Sequence, residues 1–473
     1  MVDGRALTAQ FEDAADFETR KVLCGGQLLT VLFLDGLTSG RDIAEQVLRP
    51  LAQMTDEARE EVLYTRALQG GVWCASVKEP ESTQQAAELL VNGFCVILFP
   101  KSGKALGCEV KTGEKRSPSP PETENTVKGA KDAFTETLRT NTSLVRRHLR
   151  TPGLRLAETV IGKRTLTKVT VCWIDRLTDP ELPRRMQERL SSIDIDGALS
   201  PAAIEEYVTG SRRTAFPLLE YTERTDHFCQ GLLDGQVGLL ADGLPLGYLA
   251  PVGLGRLMRS PEDRATDFLS ASMLRLLRYA ALGVSLLLPA LYAAMAMFHQ
   301  QMLPTKLLLS IIESKQNVPF STLLEVLGLL CAFELLQQAG LHLPQAVGTA
   351  VSIIGGLVVG TAAVDAKLVS PAALIVTASS GICGFTLPNR ELSDAVRLWR
   401  FVLTVLAGLW GLFGVTVGLL LLLTELAGLE SLGRSYLSPF GRAEVKGALV
   451  RPRLVRQKWR DGALKPMDDQ NQR

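Results

Sequence analysis

An apolar run in the second half of the chain restricts the fold more than any other feature. Residues 276–298 read LLRYAALGVSLLLPALYAAMAMF. At about 1.5 Å per residue, a helix of this length can cross a hydrocarbon core of roughly 30 Å. Arg275 and Arg278 lie at its start, so we expect that end on the cytosolic side. Pro289 lies inside the run, and we expect it to kink the helix.

Further apolar segments follow before residue 430. Three of them are strong candidates for membrane spans: 346–364, 371–387 and 401–426. Another, 322–340, contains Glu325 and Glu334. A carboxylate at the bilayer centre costs about 2.5–3.5 kcal/mol, so we expect this segment to be shielded by protein, to face water or to dip into the membrane without crossing. The sequence therefore predicts an all-α membrane domain over 271–430 with four or five spans.

The two flanks of the last predicted span give conflicting signals about its orientation. Arg390, Arg397 and Arg400 precede it and favour the cytosolic side. The tail at 431–473, rich in Lys and Arg between 441 and 460, favours the same side. A single crossing at 401–426 cannot satisfy both flanks, and we give the denser tail more weight. Anionic lipid is the expected partner of this tail, at about 1 kcal/mol per basic residue near the surface.

A stripe of small residues recurs every four positions in the segment 346–364. Its members are Gly348, Ser352, Gly356 and Gly360. Small side chains on one face let a second helix approach closely, which favours helix association in lipid. The alternative is that this face lines a water-filled path, in which Asp365 would favour cations.

The first half of the chain contains an internal duplication. VLFLDGLT at 31–38 and VCWIDRLT at 171–178 each predict a strand, a turn and then a helix. LLVNGFCVILF at 89–99 and GLLDGQVGLLADG at 231–243 form a second pair with nearly the same offset. We therefore expect an N-terminal region of two similar α/β subdomains. Their expected bounds are 1–112 and 128–270, joined by a linker at 113–127 that is rich in Pro, Ser and charge.

Some polar residues of this half are candidates for binding. Asp35 and Asp175 follow equivalent strands, where ligands bind in open α/β sheets, although an aspartate there more often holds a turn or caps a helix. The predicted helix at 133–150 carries arginines that are either solvated or contact a partner or lipid phosphates. These arginines are Arg139, Arg146, Arg147 and Arg150.

Composition argues against several other classes of function. A net charge of +1 disfavours nucleic acid as a partner. The first twenty residues lack the apolar core of a secretory signal, so we expect the N-terminal region in the cytosol. The cysteines and histidines lack zinc or disulfide spacing, and no phosphate-binding or catalytic motif is evident. We expect no cofactor, no metal and no catalytic residue, and hence no enzyme.

Several ordered segments resemble the A subunits of the GerA class of spore germinant receptors. The resemblance runs from about residue 16 to residue 440. It is carried by LRTNTSLVRRHLR (138–150), SSIDIDG (191–197), SLLLPALYAAMAMFHQQMLPTKLLLSI (285–311), VPFSTLLEVLGLLCAFELLQQAGLHLP (318–344), SIIGGLVVGTAAVDAKLVSPAALIV (352–376) and YLSPF (436–440).

The resemblance implies a subunit of a nutrient-sensing complex in the spore inner membrane, assembled with a B subunit and a lipoprotein C subunit. Such complexes respond to amino acids, sugars or nucleosides. Their A subunits are thought to form homo-oligomeric, ligand-gated ion channels, and the soluble N-terminal portion is cytosolic with two α/β subdomains.

Individual residues both match the family and depart from it. Glu325 and Glu334 match acidic positions of the family, whereas Leu330 stands where an additional acid is common. Asp365 stands for a usual Glu and Thr361 for a usual amide. Glu325, Glu334 and Asp365 are thus our candidates for pore or coupling residues, or for structural contacts between helices.

Three functional hypotheses remain open from the sequence. The leading one is a nutrient-gated cation channel. The second is a membrane transporter that uses Pro289 and the glycine stripe as broken-helix elements, although no inverted repeat supports it. The third is an accessory germination channel that amplifies ion release without sensing a nutrient.

Overall fold

The structure is a computed structural model. It describes residues 2–54, 59–112, 121, 124, 128–198, 200–210, 213–316, 318–342, 360–438, 440, 445–453, 455, 457, 460, 462–468 and 470. Most of the predicted linker at 113–127 lies outside the described residues. Three members of the small-residue stripe, Gly348, Ser352 and Gly356, also lie outside them, so the predicted span at 346–364 is described only from Gly360 onward.

The first subdomain is built on a five-stranded sheet. Its strands are β1 Phe17–Cys24, β2 Gln27–Leu34, β3 Val77–Lys78, β4 Phe94–Phe99 and β5 Lys104–Glu109. They lie in the order β1-β2-β4-β5-β3, and each neighbouring pair is antiparallel. Helical segments cover the sheet at Gly4–Ala9, Gly40–Asp42, Ile43–Leu48, Arg49–Gln53, Glu60–Arg66, Ala67–Gly71 and Thr83–Val91.

The apolar sequence of β4 reflects burial on both faces of the sheet. Every residue of this strand is buried. Cys95 and Ile97 pack into the core on one face, while Val96 and Leu98 pack into a second core on the other. Because successive side chains of a strand point to opposite faces, a strand covered on both sides must be apolar throughout.

The second subdomain repeats the topology of the first. Its strands are β6 Leu154–Ile161, β7 Thr167–Ile174, β8 Glu220–Thr222, β9 Val237–Ala241 and β10 Gly247–Ala250. Their antiparallel order, β6-β7-β9-β10-β8, is the order of the first sheet. Its helices are Leu138–His148, Glu181–Ser191, Pro201–Thr209 and Thr225–Leu233. The predicted duplication is therefore confirmed.

The paired turns that suggested the duplication are also equivalent in three dimensions. Gly93 follows the helix Thr83–Val91 with a φ of +81°, and Gly235 follows Thr225–Leu233 with a φ of +99°. Glycine adopts this left-handed conformation without a steric penalty, so it ends each helix and directs the chain into β4 or β9.

A buried ion pair joins the two subdomains. Arg146 donates to both carboxylate oxygens of Asp16 at 2.8 Å, and both side chains are almost completely buried. Arg146 was expected on the helix surface with its neighbours. Its partner lies 130 residues earlier in the sequence, which is why helical periodicity did not identify it.

Short helices lead from the second subdomain into the apolar half. Leu254–Leu257 and Glu262–Ala265 precede the first membrane helix, Phe268–Met297. Two shorter helices, Gln300–Met302 and Thr305–Lys315, connect it to the second membrane helix, Thr322–His342. A helical segment at 360–365 is followed by the short apolar helix, Pro371–Phe385. The last long helix, Arg390–Gly428, is called the hairpin helix because it folds back on itself, as described below. Two short strands, β11 Glu430–Ser431 and β12 Arg434–Ser435, and helical turns at Val445–Leu449 and Gly462–Leu464 follow.

Within the described residues, three helices are long and apolar enough to cross a membrane. They are Phe268–Met297, Thr322–Gly340 and Arg390–Gly428. The first contains all but the last residue of the predicted span at 276–298. Pro371–Phe385 is apolar but, at 15 residues, shorter than a typical span. The predicted total of four or five spans stays a prediction.

The last of these helices folds back on itself, unlike the single crossing expected at 401–426. Gly411 has a φ of +61° and a ψ of −141°, and these angles lie outside the helical range. A Cβ on Gly414 would overlap the carbonyl oxygen of Leu406, and one on Gly418 would overlap the side chain of Leu403. Residues before Gly411 therefore face residues at a similar distance after it, as in an antiparallel pair of helical arms.

This reversal explains the conflict between the two basic flanks. The base of the hairpin brings Leu392 and Val396 of the first arm into one buried cluster with Leu426 of the second. Its tip lies beside Phe298 and His299, at the far end of the first membrane helix. Both ends of the hairpin therefore lie next to the region of the two sheet subdomains, called the soluble region. The arginines that precede the hairpin and the basic tail that follows it thus share one side.

Candidate functional site

A polar chain crosses the interior of the membrane helices at Pro289. Proline has no amide hydrogen, so the carbonyl of Ser285, four residues earlier, loses its helical partner. The hydroxyl of Ser380 in the short apolar helix donates to this carbonyl at 2.7 Å. Arg400 of the hairpin helix donates to the same hydroxyl at 3.1 Å. Three helices are thus joined by the carbonyl that the proline leaves unpaired.

Arg400 is the charged member of this series of hydrogen bonds, and it is 3% exposed. Its Nε has no hydrogen-bond partner among the described residues, and its bond to Ser380 is to a neutral hydroxyl. A charged group in this environment is costly, and such groups in membrane segments are usually functional. Pro289 itself lies within one helix, Phe268–Met297, and the kink predicted there stays a prediction.

Glu325 is buried at the start of the second membrane helix. Ser370 donates to its Oε2 at 3.0 Å, and the ammonium of Lys315 lies 3.7 Å from its Oε1. Ser370 is also the N-cap of the short apolar helix, where its hydroxyl accepts from the amide of Ala373. A carboxylate at a helix N-terminus is favoured by the helix dipole, so this contact locks two helices together.

Glu334 lies on the same helix, just past its middle. Its carboxylate accepts from Arg397 of the hairpin helix at 3.0 Å, and its side chain is 30% exposed. Arg397 also pairs with Asp394. Glu334 is nine positions after Glu325, or about 14 Å along the helix axis, so the two acids contact different elements.

The remaining predicted residues of the membrane half are separate from these contacts. Asp365 is exposed at the end of the helical segment 360–365. Gly360 is buried, and a Cβ there would lie 3.5 Å from the side chain of Leu374 in the short apolar helix. Glu325, Glu334 and Asp365 therefore do not form one cluster within a single chain.

A second group of charges lies where the soluble region meets the first membrane helix. Asp263 is 2% exposed and accepts from Arg275 at 3.0 Å and from Arg278 at 2.8 Å. Arg275 also donates to the carbonyls of Gly447 and Ala448 in the tail. The two arginines that signalled orientation in the sequence are therefore buried and paired within the protein.

This charge group continues into the second sheet. Glu220 of β8 lies 2.7 Å from Arg256, which lies 2.9 Å from Asp234, which in turn accepts from Arg264 at 3.1 Å. Burial would raise the pKa of Glu220, but Arg256 and His227 outweigh it and lower this pKa to about 2. Burial likewise opposes ionisation of Asp234, yet Arg264 and Arg256 hold its pKa below the ordinary value.

The segment after the hairpin fastens its base to the second subdomain. Ser431 of β11 donates to the carbonyl of Leu218 at 2.6 Å and accepts from the amide of Val252 at 3.0 Å. Arg434 of β12 pairs with Asp179. The returning arm of the hairpin is therefore connected to the sheet that carries Glu220.

An acidic cavity of about 830 Å³ lies between the second subdomain and the base of the hairpin. The helix Pro201–Thr209 supplies Glu205 and Glu206 to its wall, and the hairpin helix supplies Glu391 and Asp394. Burial raises the pKa of Glu205. The cavity thus presents carboxylates from both the soluble and the membrane parts of the chain.

Asp35 and Asp175 occupy equivalent positions at the ends of β2 and β7. Asp35 pairs with Arg139 at 3.0 Å, and Asp175 pairs with Arg155 at 3.2 Å. Both sheets are antiparallel, so strand ends alternate between the two edges, and the ligand rule for parallel α/β sheets does not apply. Both aspartates form ion pairs at the boundary between the subdomains.

The basic tail is partly held by the soluble region. Arg451 is buried and donates to the carbonyl of Thr266, while Arg460 donates to the carbonyl of Leu233 at 3.0 Å. Arg453 is exposed, and its guanidinium lies 5.3 Å from the ring of Phe268 at the start of the first membrane helix. Of these three arginines, Arg453 is the one that remains available for the expected contact with lipid.

Sequence reasoning missed Ser380 and Asp263. The first had a readable signal, because a proline within an apolar helix leaves a carbonyl that a donor on a neighbouring helix must satisfy. The run 371–387 contains few hydroxyl groups that could do so. Asp263 had no comparable signal, because it lies among many charged residues in the sequence.

The chain is similar to several known proteins. The model of the family described as Bacillus/Clostridium GerA spore germination protein matches residues 5–466. The uncharacterized membrane protein YfkQ of Bacillus subtilis (strain 168) is 36% identical over 94% of this chain and 87% of its own length. Spore germination protein KA of the same organism is 34% identical over 93% of this chain and 81% of its own length.

A solved structure is also similar to part of this chain. It is the crystal structure of the N-terminal domain of the A subunit of the Bacillus megaterium spore germinant receptor GerK3. The match covers 52% of this chain and 92% of that one, with 23% identity and a TM-score of 0.41. The family match extends over nearly the whole chain, through both the duplicated sheets and the membrane helices, and the chain therefore belongs to the GerA family of spore germination proteins.

Proposed function

We propose that this protein is the A subunit of a nutrient germinant receptor and acts in spore germination by opening a path for monovalent cations. Membership of the GerA family supports the biological role. The observation that carries the mechanism is the pair of charge clusters that lead from the second sheet to the first membrane helix, one ending at Arg264 and the other centred on the adjacent Asp263. A ligand shifts a conformational equilibrium only through different affinities for two states, and such clusters can transmit that difference.

The proposed location is the spore inner membrane, with the duplicated N-terminal region in the cytosol. Arg390 and the tail lie on the same side as the soluble region, which agrees with a preference of basic residues for the cytosolic side. B and C subunits of the same receptor are the proposed partners, together with the small nutrient that the complex senses. Arg453, beside Phe268, would contact anionic lipid at the membrane boundary.

The cation path is proposed to form between copies of the chain. Gly348, Ser352, Gly356 and Gly360 would allow close approach of helices in a homo-oligomer. Asp365 is exposed in the single chain and Glu334 is partly exposed, so both can face such an interface. The carboxylates of the acidic cavity would concentrate cations near its cytosolic mouth. Glu325, which is fully enclosed, would serve as an interhelical lock.

Recording of purified protein in planar bilayers tests this proposal. Discrete, ohmic potassium currents are expected, and Glu334→Gln should change their conductance or selectivity while Glu18→Gln, an exposed change on β1, should not. Saturable flux that is limited by turnover would instead favour a transporter. The interruption of the hairpin helix at Gly411 is the observation that favours a transporter, because transporters often use discontinuous helices.

An accessory channel that amplifies ion release without sensing a nutrient is the remaining alternative. Spores that lack this gene distinguish it from a receptor subunit. A receptor subunit is expected to be needed for the first potassium release in response to its own nutrient, whereas an accessory channel would affect release after every nutrient. Adjacent genes for B and C subunits would support the receptor.

A further inference from the structure

A small pocket between the two soluble subdomains has a positive wall. Its volume is about 330 Å³. The first subdomain contributes residues 91–93 and Lys111, and the second contributes Arg147 and Arg150. Three of the lining side chains are therefore cationic, and none of the described residues that line the pocket is acidic.

The two arginines are the unpaired members of a set of four. Arg139 pairs with Asp35, and Arg146 pairs with Asp16. Arg147 has no carboxylate partner among the described residues, and Arg150 uses only its Nε, which donates to the carbonyl of Arg147 at 3.2 Å. Among the described residues, no partner occupies the terminal groups of either guanidinium, so both can contact a ligand at the pocket.

The positions of these cations are fixed by the fold. The buried pair of Arg146 and Asp16 holds the helix Leu138–His148 against the first subdomain, so the adjacent Arg147 has a set place at the boundary. Lys111 lies 5.1 Å from the ring of Phe94 and 2.7 Å from Glu109, whose pKa its hydrogen bond lowers. A preorganised site loses less entropy when a ligand binds.

We propose that this pocket binds a small multivalent oxyanion, a metabolite with a phosphate or several carboxylate groups, and that the bound ligand bridges the two subdomains. Guanidinium groups present donors that match the oxygen spacing of phosphate and carboxylate. The volume suits a small metabolite and is near the lower limit of ligand pockets. This inference does not depend on channel activity.

Isothermal titration of the purified full-length protein in neutral detergent, at constant ionic strength, provides the test. Sodium pyrophosphate and sodium citrate serve as probes, and saturable binding of at least one is expected. The double variant Arg147→Gln/Arg150→Gln should bind roughly 100-fold more weakly, about tenfold for each arginine. Arg164→Gln is the control, because it removes an exposed cation that pairs with Asp196 away from the pocket.

Other outcomes overturn the proposal. These are the absence of saturable binding for both probes, equal binding by the double variant, or equal weakening by the control variant. A melting curve like that of the unmodified protein verifies that the double variant is folded. Micelles doped with phosphatidylglycerol form a last arm. If phosphatidylglycerol displaces pyrophosphate from the unmodified protein, a lipid headgroup reaches the pocket, and the assignment to a soluble metabolite is overturned. Unchanged pyrophosphate binding in these micelles supports the soluble ligand.

Discussion

Two polar groups inside the membrane helices are tolerated because a neighbouring segment supplies each of them with a hydroxyl donor. The carbonyl of Ser285 is satisfied by Ser380, and the carboxylate of Glu325 is satisfied by Ser370. These bonds replace the water that a membrane does not supply, and each partner comes from the short apolar helix. That helix therefore acts as a source of hydroxyl donors for its two neighbours.

Ser380→Ala should destabilise the membrane helices because it leaves the Ser285 carbonyl and Arg400 without their common partner. The expected loss is about 1–3 kcal/mol, measured by thermal unfolding of the purified protein in detergent. Pro289→Ala restores a helical donor to the same carbonyl. The cost of Ser380→Ala should therefore be roughly 1 kcal/mol smaller in a Pro289→Ala background. Equal costs in both backgrounds would contradict this assignment, and Ser380→Thr is the conservative control.

Glu220 predicts a specific dependence of stability on pH. Its folded pKa of about 2 lies below its ordinary value, so its ionised form stabilises the fold. That contribution is complete above about pH 5 and is lost as the pH falls towards 2. Glu220→Gln should lower the melting temperature at pH 7, and its difference from the unmodified protein should shrink at pH 3. The exposed substitution Glu188→Gln is the control. A difference that stays constant with pH would count against the buried network.

At the scale of elements, the hairpin helix shows what a single glycine can do within an apolar run. Its two arms pack along their length, with Leu403 beside Gly418 and with Val396 and Leu426 in one buried cluster. Glycines at 414 and 418 permit this close approach, because a side chain would collide with the opposite arm. The reversal converts a 39-residue helix into two antiparallel arms.

The reversal predicts that both ends of the hairpin are accessible from one side of the membrane. Arg390→Cys and Ala427→Cys, made without the native Cys331 and Cys383, should react with an impermeant maleimide from the same side. Gln301→Cys, which follows the first membrane helix, should react only from the other side. Labelling of positions 390 and 427 from opposite sides would restore the single crossing and exclude the hairpin.

The sequence predicted elements well where local pattern determines them. The repeated strands and the turn at Asn92-Gly93 could be read directly, because a short apolar run next to Asn-Gly or Asp-Gly is typical of a strand beside a turn. The hairpin could not, because Gly411 in an apolar run resembles any glycine of a membrane helix. Its one signal was the pair of basic flanks that a single crossing could not reconcile. The Arg146–Asp16 pair depends on the contact between subdomains, which local pattern does not contain.

For the whole molecule, charged side chains form a nearly continuous route between the second sheet and the membrane. Glu220, Arg256, Asp234 and Arg264 make successive contacts, and Asp263 beside Arg264 binds the first membrane helix through Arg275 and Arg278. Arg275 also contacts the tail at Gly447. A movement of the second subdomain would therefore reach both the membrane helix and the tail.

Asp263→Asn tests whether this junction holds three parts of the molecule together. The change leaves two buried arginines without their counter-charge, so we expect a destabilisation of about 3–5 kcal/mol. Hydrogen exchange measured by mass spectrometry should increase in Glu262–Ala265 and also in Val445–Leu449, because Arg275 binds both segments. Asp267→Asn removes the same charge from an exposed position four residues away and should leave both segments protected. We expect both segments to respond, because Arg275 binds Asp263 and also the tail. Faster exchange in Glu262–Ala265 alone would mean that other contacts hold the tail, and it would contradict a junction of three parts.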